Sequence, residues 1–200
     1  MKRPSRKPNT WADHYTRQAQ KEQFAARSVY KLQEIQKKYR ILKPGGRILD
    51  LGCAPGSWLQ FAARIVGPEG FLVGIDLTPV TIALPDNVTV ITGDVADIEG
   101  HLAGLDQNRF DAVLSDMAPA TTGNRHVDAA RSMGLCEAAL DVADRTLAAG
   151  GHFVCKIFQG GDFKTFADAV KDRFGRQAAL RPQSTRKASR EVFVIGLGKQ

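Results

Sequence analysis

The sequence predicts a single α/β domain built on a parallel sheet that helices cover on both faces. Short apolar runs typical of buried strands alternate with longer segments in which apolar residues recur at helical spacing. A chain of 200 residues can bury a sizeable core and fits one domain of ordinary size. A turn rich in small residues follows the first predicted strand, at the carboxyl end where sheets of this class bind ligands.

Each predicted element is bounded by residues that interrupt helices or strands. Two helices come first, and the break Pro44-Gly45-Gly46 separates them from the first strand. The later strands are apolar runs bounded mostly by Gly, Pro, Asn, Asp or Ser. The predicted helices cover residues 11–23, 28–40, 57–66, 128–148 and 163–174. The predicted strands cover residues 47–51, 70–76, 87–92, 110–115, 152–158, 176–181 and 191–197.

Positive charge is concentrated at the start of the chain. The formal net charge is +7, from 28 Lys and Arg against 21 Asp and Glu. Residues 1–47 hold 13 basic and 3 acidic side chains, and a second basic cluster lies at residues 171–190. Such clusters favour contact with a polyanion, most commonly nucleic acid, although a merely solubilising surface has the same composition. We divide the chain into a basic, partly disordered extension at 1–26, with disorder expected at 1–9, and a domain at 27–200.

Several protein classes are excluded by composition. No apolar run approaches the roughly 20 residues of a membrane span, and no apolar segment follows the basic N-terminus as in a secretory signal. Three widely spaced cysteines, Cys53, Cys136 and Cys155, indicate reduced thiols rather than a disulfide framework or a zinc ribbon. The four histidines show no ligand spacing, so no metal site is predicted. A cytoplasmic monomer is expected.

The turn after the first strand carries the strongest local signal. Its pattern is Asp-x-Gly-x-x-x-Gly, with glycines at Gly52 and Gly56, and small residues there let the backbone approach a ligand closely. The dinucleotide fingerprint would need a glycine where Ala54 stands, and no Gly-Lys-Ser/Thr follows as in a phosphate loop. The turn therefore indicates a small-molecule site of another kind.

Acidic residues end the next two strands. Asp76 is placed to bind ribose hydroxyls, and Asp94 is placed to bind an adenine amino group, although either could be a plain turn or cap residue. Trp58, at the start of the helix after the turn, could stack near such a ligand or pack in the core.

Charged residues also mark the later strands. Asp116 follows the fourth strand, and Lys156 lies within the apolar fifth strand, where a lysine is costly unless it is paired or functional. A salt bridge on the sheet rim is the structural alternative for Lys156. Arg27 and Arg190 could bind phosphate.

Taken together, these segments resemble the FtsJ-like family of ribosomal RNA 2′-O-methyltransferases, most closely the members that act on the bacterial large subunit. The resemblance extends from Trp11 to Leu197 and departs from the family pattern at Cys53 and Ser57. The segments that carry it are residues 15–21, 27–35, 52–58, 115–119, 154–160 and 189–192. It implies a Rossmann-like methyltransferase fold of about seven strands with the last reversed, and S-adenosylmethionine as the cofactor. The implied reaction is methylation of a uridine ribose in 23S ribosomal RNA.

The resemblance also implies roles for individual residues. The Lys-Asp-Lys-Glu tetrad of the family falls on Lys31, Asp116, Lys156 and Glu191. Lys156 would be the general base, Asp116 would orient it and the methyl donor, and Glu191 would hold Lys31 and the substrate ribose. The implied cofactor contacts are Gly52, Gly56, Trp58, Asp76, Asp94 and Asp116.

Three alternatives stay open from the residues. A nicotinamide dehydrogenase shares the sheet but needs the missing glycine fingerprint. A non-catalytic RNA-binding module explains the charge but not a tetrad beside a cofactor turn. A relative that methylates the ribose of tRNA is the closest alternative.

Overall fold

The computed structural model describes residues 10–105, 109–160 and 162–200, with side chains described from residue 14 onward. The disorder expected at 1–9 lies outside these residues. The described part forms a sheet with helices on both faces, which confirms the predicted fold class.

Seven strands form the sheet in the order β3-β2-β1-β4-β5-β7-β6. Strands β1 to β5 pair in parallel, whereas β7 runs antiparallel to both β5 and β6. The reversed last strand confirms what the resemblance implied. The strands are β1 Arg47–Leu51, β2 Phe71–Asp76, β3 Val88–Thr92, β4 Phe110–Ser115, β5 Leu147–Phe158, β6 Phe174–Leu180 and β7 Glu191–Lys199.

The helices divide between the two faces and bury a separate apolar cluster on each. Helices α2 and α3 cover one face, and α4, α5 and α6 cover the other. Side chains of β1 alternate accordingly, with Ile48 in the first cluster and Leu49 in the second. The helices are α1 Thr10–Lys21, α2 Val29–Tyr39, α3 Ser57–Val66, α4 Ile98–Leu102, α5 Arg125–Thr146 and α6 Phe163–Lys171. A short 3₁₀ turn, Val95–Asp97, precedes α4.

Helix α1 is joined to the body by a third, smaller apolar cluster. Ala19 and Phe24 are buried with Val29 and Tyr30, the first residues of α2. Removing residues 1–26 would therefore expose apolar side chains of α2 as well as remove charge.

Several boundaries differ from those predicted. Helix α5 begins at Arg125 rather than 128 because the Asn124 side chain accepts hydrogen bonds from backbone N–H groups in its first turn, at 3.0 and 3.4 Å. The fifth strand begins at Leu147 rather than at 152, and it includes Gly150, which has φ +78°. Helix α6 ends at Lys171 because β6 begins at Phe174. The sequence did not predict the helical residues at 95–102.

Some negative findings concern the described ranges alone. No helix in them is long and apolar enough to cross a membrane. They contain no group of three or more His, Cys, Asp or Glu side chains placed to hold a metal ion. The three cysteines are buried free thiols.

Candidate active site

The candidate site lies where the strand order reverses direction. Strand β1 lies between β2 and β4, and the crevice at the carboxyl ends of such strands is the usual ligand site of an open α/β sheet. A cleft of about 280 Å³, here called the switch-point cleft, occupies this position. Its walls include Gly52, Asp76, Asp94, Asp116, Met117 and Leu135. Four of the six predicted cofactor contacts are therefore in one cleft.

The glycine turn requires glycine at both of its predicted positions. Gly52 has φ +76°, and a Cβ there would lie 2.5 Å from Cγ of Met117. Gly56 has φ +105°, precedes α3, and would place a Cβ 2.7 Å from Cδ1 of Ile82. Gly52 lines the switch-point cleft, whereas Gly56 packs beneath the segment that contains Val80 and Ile82. A side chain at either position would therefore collide with a different segment of the chain.

Asp76 and Asp94 combine a turn role with a position in the cleft. The Asp76 carboxylate accepts hydrogen bonds from the backbone N–H of Ala54, at 3.0 Å, and of Thr78, at 2.7 Å. It therefore ties the glycine turn to the end of β2. Asp94 accepts from the backbone N–H of Ala96 at 3.0 Å and caps the 3₁₀ turn. A carboxylate accepts up to about four hydrogen bonds, so both retain capacity for a ligand.

The Trp58 ring belongs to the core. It is 3% exposed, its Nε1 donates to the carbonyl of Ser28 at 2.9 Å, and its centroid lies 5.8 Å from that of Phe193. Of the two interpretations from sequence, packing in the core is the one realised by the side chain. The buried ring is not placed to stack on a cofactor, so a contact between Trp58 and the cofactor would involve the Trp58 backbone. The neighbouring Ser57 hydroxyl lies 2.9 Å from that of Ser28, so this departure from the family pattern adds a hydrogen bond between α3 and the start of α2.

The tetrad forms one chain of ion pairs, with Lys31 on α2, Asp116 directly after β4, Lys156 on β5 and Glu191 on β7. Lys156 Nζ lies 2.9 Å from Oδ1 of Asp116 and also donates to the Asp116 carbonyl. Lys31 Nζ lies 3.4 Å from the same Oδ1 and 2.8 Å from Oε2 of Glu191. Asp116 is thus shared by both lysines, and it also lines the switch-point cleft.

Burial and charge act in opposite directions on Lys31. Burial lowers the pKa of Lys31, but the carboxylates of Asp116 and Glu191 outweigh it, so the net pKa is raised. Lys31 therefore stays a cation that holds two carboxylates in place. Lys156 is the more enclosed of the two lysines, with 4% of its side chain exposed against 12% for Lys31.

Asp50 is a buried acid that the sequence singled out only as part of the glycine-turn pattern. It is 1% exposed, and neither carboxylate oxygen has a hydrogen-bond partner in the described part of the chain. Burial, followed by the nearby charges of Asp116 and Asp76, raises the pKa of Asp50 well above its ordinary value. The neutral acid is therefore favoured at this position.

The two arginines proposed from sequence to bind phosphate have different surroundings in the structure. Arg190 donates to the carbonyl of Gln159 and fixes the end of β5 to the start of β7, so the structure gives it a structural contact. Arg27 lies in a second cleft beside the tetrad, where Arg186 is its companion. Sequence pointed to the basic cluster at 171–190 but could not show which of its members faces α2.

Comparison with known proteins shows to which family this chain belongs. The model of the FtsJ-like methyltransferases matches residues 24–199. This chain belongs to that family. A protein of Desulforapulum autotrophicum, named ribosomal RNA large subunit methyltransferase E, is 57% identical over 194 residues, which cover 97% of this chain and 96% of the relative. The resemblance inferred from sequence is confirmed.

Solved structures agree with this assignment. A Plasmodium falciparum protein assigned as a ribosomal RNA methyltransferase superposes with a TM-score of 0.75 at 25% identity, over 88% of this chain and 98% of its own. Fibrillarin of Aeropyrum pernix, solved with natively bound S-adenosylmethionine, superposes with a TM-score of 0.59 at 19% identity, over 78% and 68% of the two chains. The latter similarity supports the fold alone.

S-adenosylmethionine is the cofactor of this methyltransferase, and the switch-point cleft fits it. The carboxylates of Asp76 and Asp94 are suitable acceptors for hydroxyl and amino groups. Ile75, Met117 and Leu135 provide apolar walls beside them. The glycine at Gly52 keeps the floor of the cleft open, because a side chain there would meet Met117.

Proposed function

We propose that this protein methylates the ribose 2′-hydroxyl of a uridine in 23S ribosomal RNA of the large subunit. It acts as a cytoplasmic monomer on the rRNA or on the subunit that contains it. The relative named ribosomal RNA large subunit methyltransferase E, 57% identical over 97% of this chain, supports the substrate class. The tetrad supports the chemistry, because it places an enclosed lysine beside the cofactor cleft.

The single observation that carries the proposal is the double role of Asp116. Asp116 lines the switch-point cleft, and its carboxylate lies within 3.4 Å of Nζ of both Lys31 and Lys156. A hydroxyl placed at Lys156 would therefore lie next to the cleft that holds the methyl donor. Holding the two reactants in line supplies much of the rate enhancement in such a transfer.

The proposed step needs the removal of one proton. S-adenosylmethionine supplies a methyl group on a sulfonium, and the departing thioether is neutral and needs no acid. Lys156, as a neutral amine, accepts the 2′-hydroxyl proton as the new carbon–oxygen bond forms and the sulfur–carbon bond breaks. Asp116 orients the Lys156 amine, and Glu191 holds Lys31 and the ribose.

The proposal is tested with Lys156→Ala and a matched lysine variant. The purified proteins receive methyl-labelled cofactor with large subunits, free 23S rRNA or tRNA, and the methylated sites are mapped as 2′-O-methyl nucleotides. Lys156→Ala should abolish transfer and leave the cofactor Kd within a few-fold. Lys164→Ala, on the exposed face of α6 with 85% of its side chain accessible, should behave as wild type.

Each outcome decides one part of the proposal. Label in 23S rRNA supports the substrate, whereas label only in tRNA refutes it in favour of the tRNA alternative. Turnover by Lys156→Ala above a few per cent of wild type rejects the general base.

A further inference from the structure

The C-terminal end of helix α2 carries exposed basic side chains that the tetrad does not use. Lys37 and Lys38 lie in the last turn of the helix, and Arg40 follows directly after its end at Tyr39. All three basic side chains are exposed. Lys37, Lys38 and Arg40 are here called the α2 basic surface.

Acidic side chains do not neutralise the α2 basic surface within the described part of the chain. None of its three cations forms an ion pair there. Around α5 and α6, by contrast, Arg145, Lys164 and Arg173 each lie within 3.0 Å of a carboxylate oxygen. Glu34 is the one acidic residue of α2, and three cations against this one carboxylate leave an excess of two positive charges.

One stripe of α2 connects the α2 basic surface to the active site. Lys31, Glu34 and Lys38 are spaced i, i+3 and i+7, which places them on one face of the helix. Lys31 is paired with Asp116 and Glu191 in the tetrad, whereas Lys38 is exposed. The seven residues between the two lysines correspond to about 10 Å along the helix axis, at roughly 1.5 Å per residue. A strand of RNA whose target ribose lies at the tetrad therefore meets Lys38 if it runs along α2.

The loop beside this stripe is basic as well. The Glu34 carboxylate accepts hydrogen bonds from the backbone N–H of Gln183, at 2.7 Å, and of Ser184, at 2.9 Å, so the loop is held against the middle of α2. Arg186 of the same loop is exposed and lines the cleft that also contains Lys31. Exposed cations therefore lie at both ends of the stripe, while its one acid holds the loop.

We propose that the α2 basic surface binds phosphates of the RNA that flanks the target nucleotide, so that the enzyme recognises an extended RNA and not the target nucleotide alone. The inference rests on the proposed function, because it assumes that the substrate is RNA. Exposed lysines and arginines bind phosphates through charge, and they fix the position of the RNA without reading its bases. Because Lys38 lies about 10 Å along the helix from Lys31, the phosphates that it meets belong to nucleotides other than the target.

The test compares the double variant Lys37→Gln/Lys38→Gln with a matched control, Lys164→Gln/Lys171→Gln. Each removes two exposed lysines from one helix, and glutamine has nearly the helix propensity of lysine. The control lysines lie on α6, which covers the opposite face of the sheet. For each protein we would measure the affinity for free 23S rRNA and for large subunits without turnover at several salt concentrations, KM and kcat with 23S rRNA, the cofactor Kd and the circular dichroism spectrum. Arg40→Gln, which lies outside the helix, provides a second measurement if the double variant does not fold.

The slope of log affinity against log salt for free 23S rRNA should fall by about 1.4–1.8 in Lys37→Gln/Lys38→Gln, at roughly 0.7–0.9 for each lost phosphate contact. The KM for RNA should rise about tenfold or more at low salt, and the difference from wild type should narrow as salt is added. The value of kcat should change by no more than about twofold, because neither lysine touches the reacting atoms. Arg40→Gln should lower the slope by about 0.7–0.9, and the control and the cofactor Kd should match wild type.

The possible failures are distinguishable. If the wild type methylates rRNA and the slope is the same in wild type and in Lys37→Gln/Lys38→Gln, the two lysines serve only the helix terminus, and the RNA contact is refuted while the proposed function stands. An equal loss in the α6 control would indicate a diffuse electrostatic effect and would also overturn the contact. A loss of affinity for large subunits with an unchanged slope for free rRNA would assign the surface to a protein of the subunit instead. If the wild type methylates no RNA, the proposed function fails, and the slopes measured without turnover still decide the contact.

Discussion

Replacing Asp50 by asparagine should change how the stability of the protein depends on pH. Asp50 is 1% exposed and has no hydrogen-bond partner among the described residues, and its pKa in the folded state is raised by burial and by the charges of Asp116 and Asp76. A group with a raised folded-state pKa contributes stability that is fully present below its unfolded pKa, about 3.9 for aspartate. That contribution is lost as the pH rises toward the folded pKa.

The magnitude follows from the linkage of one proton. Between the unfolded and the folded pKa, the wild type should lose about 1.4 kcal/mol of unfolding free energy per pH unit at this residue. Asparagine has nearly the same shape and binds no proton, so Asp50→Asn should lack this loss. Its stability relative to wild type should therefore rise by about 1.4 kcal/mol for each pH unit in that window.

Urea unfolding at a series of pH values upward from about 4, the ordinary pKa of aspartate, measures this difference. Glu137→Gln, which removes an exposed carboxylate on α5, serves as the control and should show a small difference at every pH. If the curves of unfolding free energy against pH for Asp50→Asn and wild type are parallel, Asp50 is ionised in the folded protein and the argument from burial is wrong.

Two further predictions concern the cofactor and the RNA. Asp76→Ala should weaken cofactor binding roughly ten- to a hundred-fold, because it removes charge-assisted hydrogen bonds to the ligand. It should also lower the free energy of unfolding by about 1–3 kcal/mol, because the backbone N–H groups of Ala54 and Thr78 lose their acceptor. If calorimetry gives an unchanged cofactor Kd, Asp76 is only a turn residue. Arg17→Gln combined with Lys21→Gln removes two exposed charges of α1 without touching Ala19 or Phe24, so the helix should stay packed. The salt slope of RNA affinity should fall by about 1.4–1.8 if both contact phosphate, and an unchanged slope with intact circular dichroism would place the RNA surface elsewhere.

The sequence by itself determined the local elements and the family. The apolar runs of β1 to β4 were found within a residue or so of their ends, since a buried strand between breaking residues is a local pattern. The tetrad was assigned through the resemblance, because Lys31, Asp116, Lys156 and Glu191 each lie in a recognisable segment. The reversed direction of β7 also came from the resemblance, as an apolar strand has the same pattern in either direction.

What the sequence missed depends on contacts between distant residues. The sequence around Trp58 does not show whether its ring faces the cofactor or the core. The ring lies in the core because α3 packs against α2 in an orientation that directs it there. Arg186 rather than Arg190 lines the same cleft as Arg27 because the loop before β7 is held there. Arg27, just before α2, donates to the carbonyl of Ser184, which is 157 residues away along the chain. The burial, charge and pKa of a residue depend on all of its spatial neighbours. Only the tertiary structure could therefore show that Asp50 is a buried acid with no hydrogen-bond partner among the described residues, and that two guanidinium groups share one cleft.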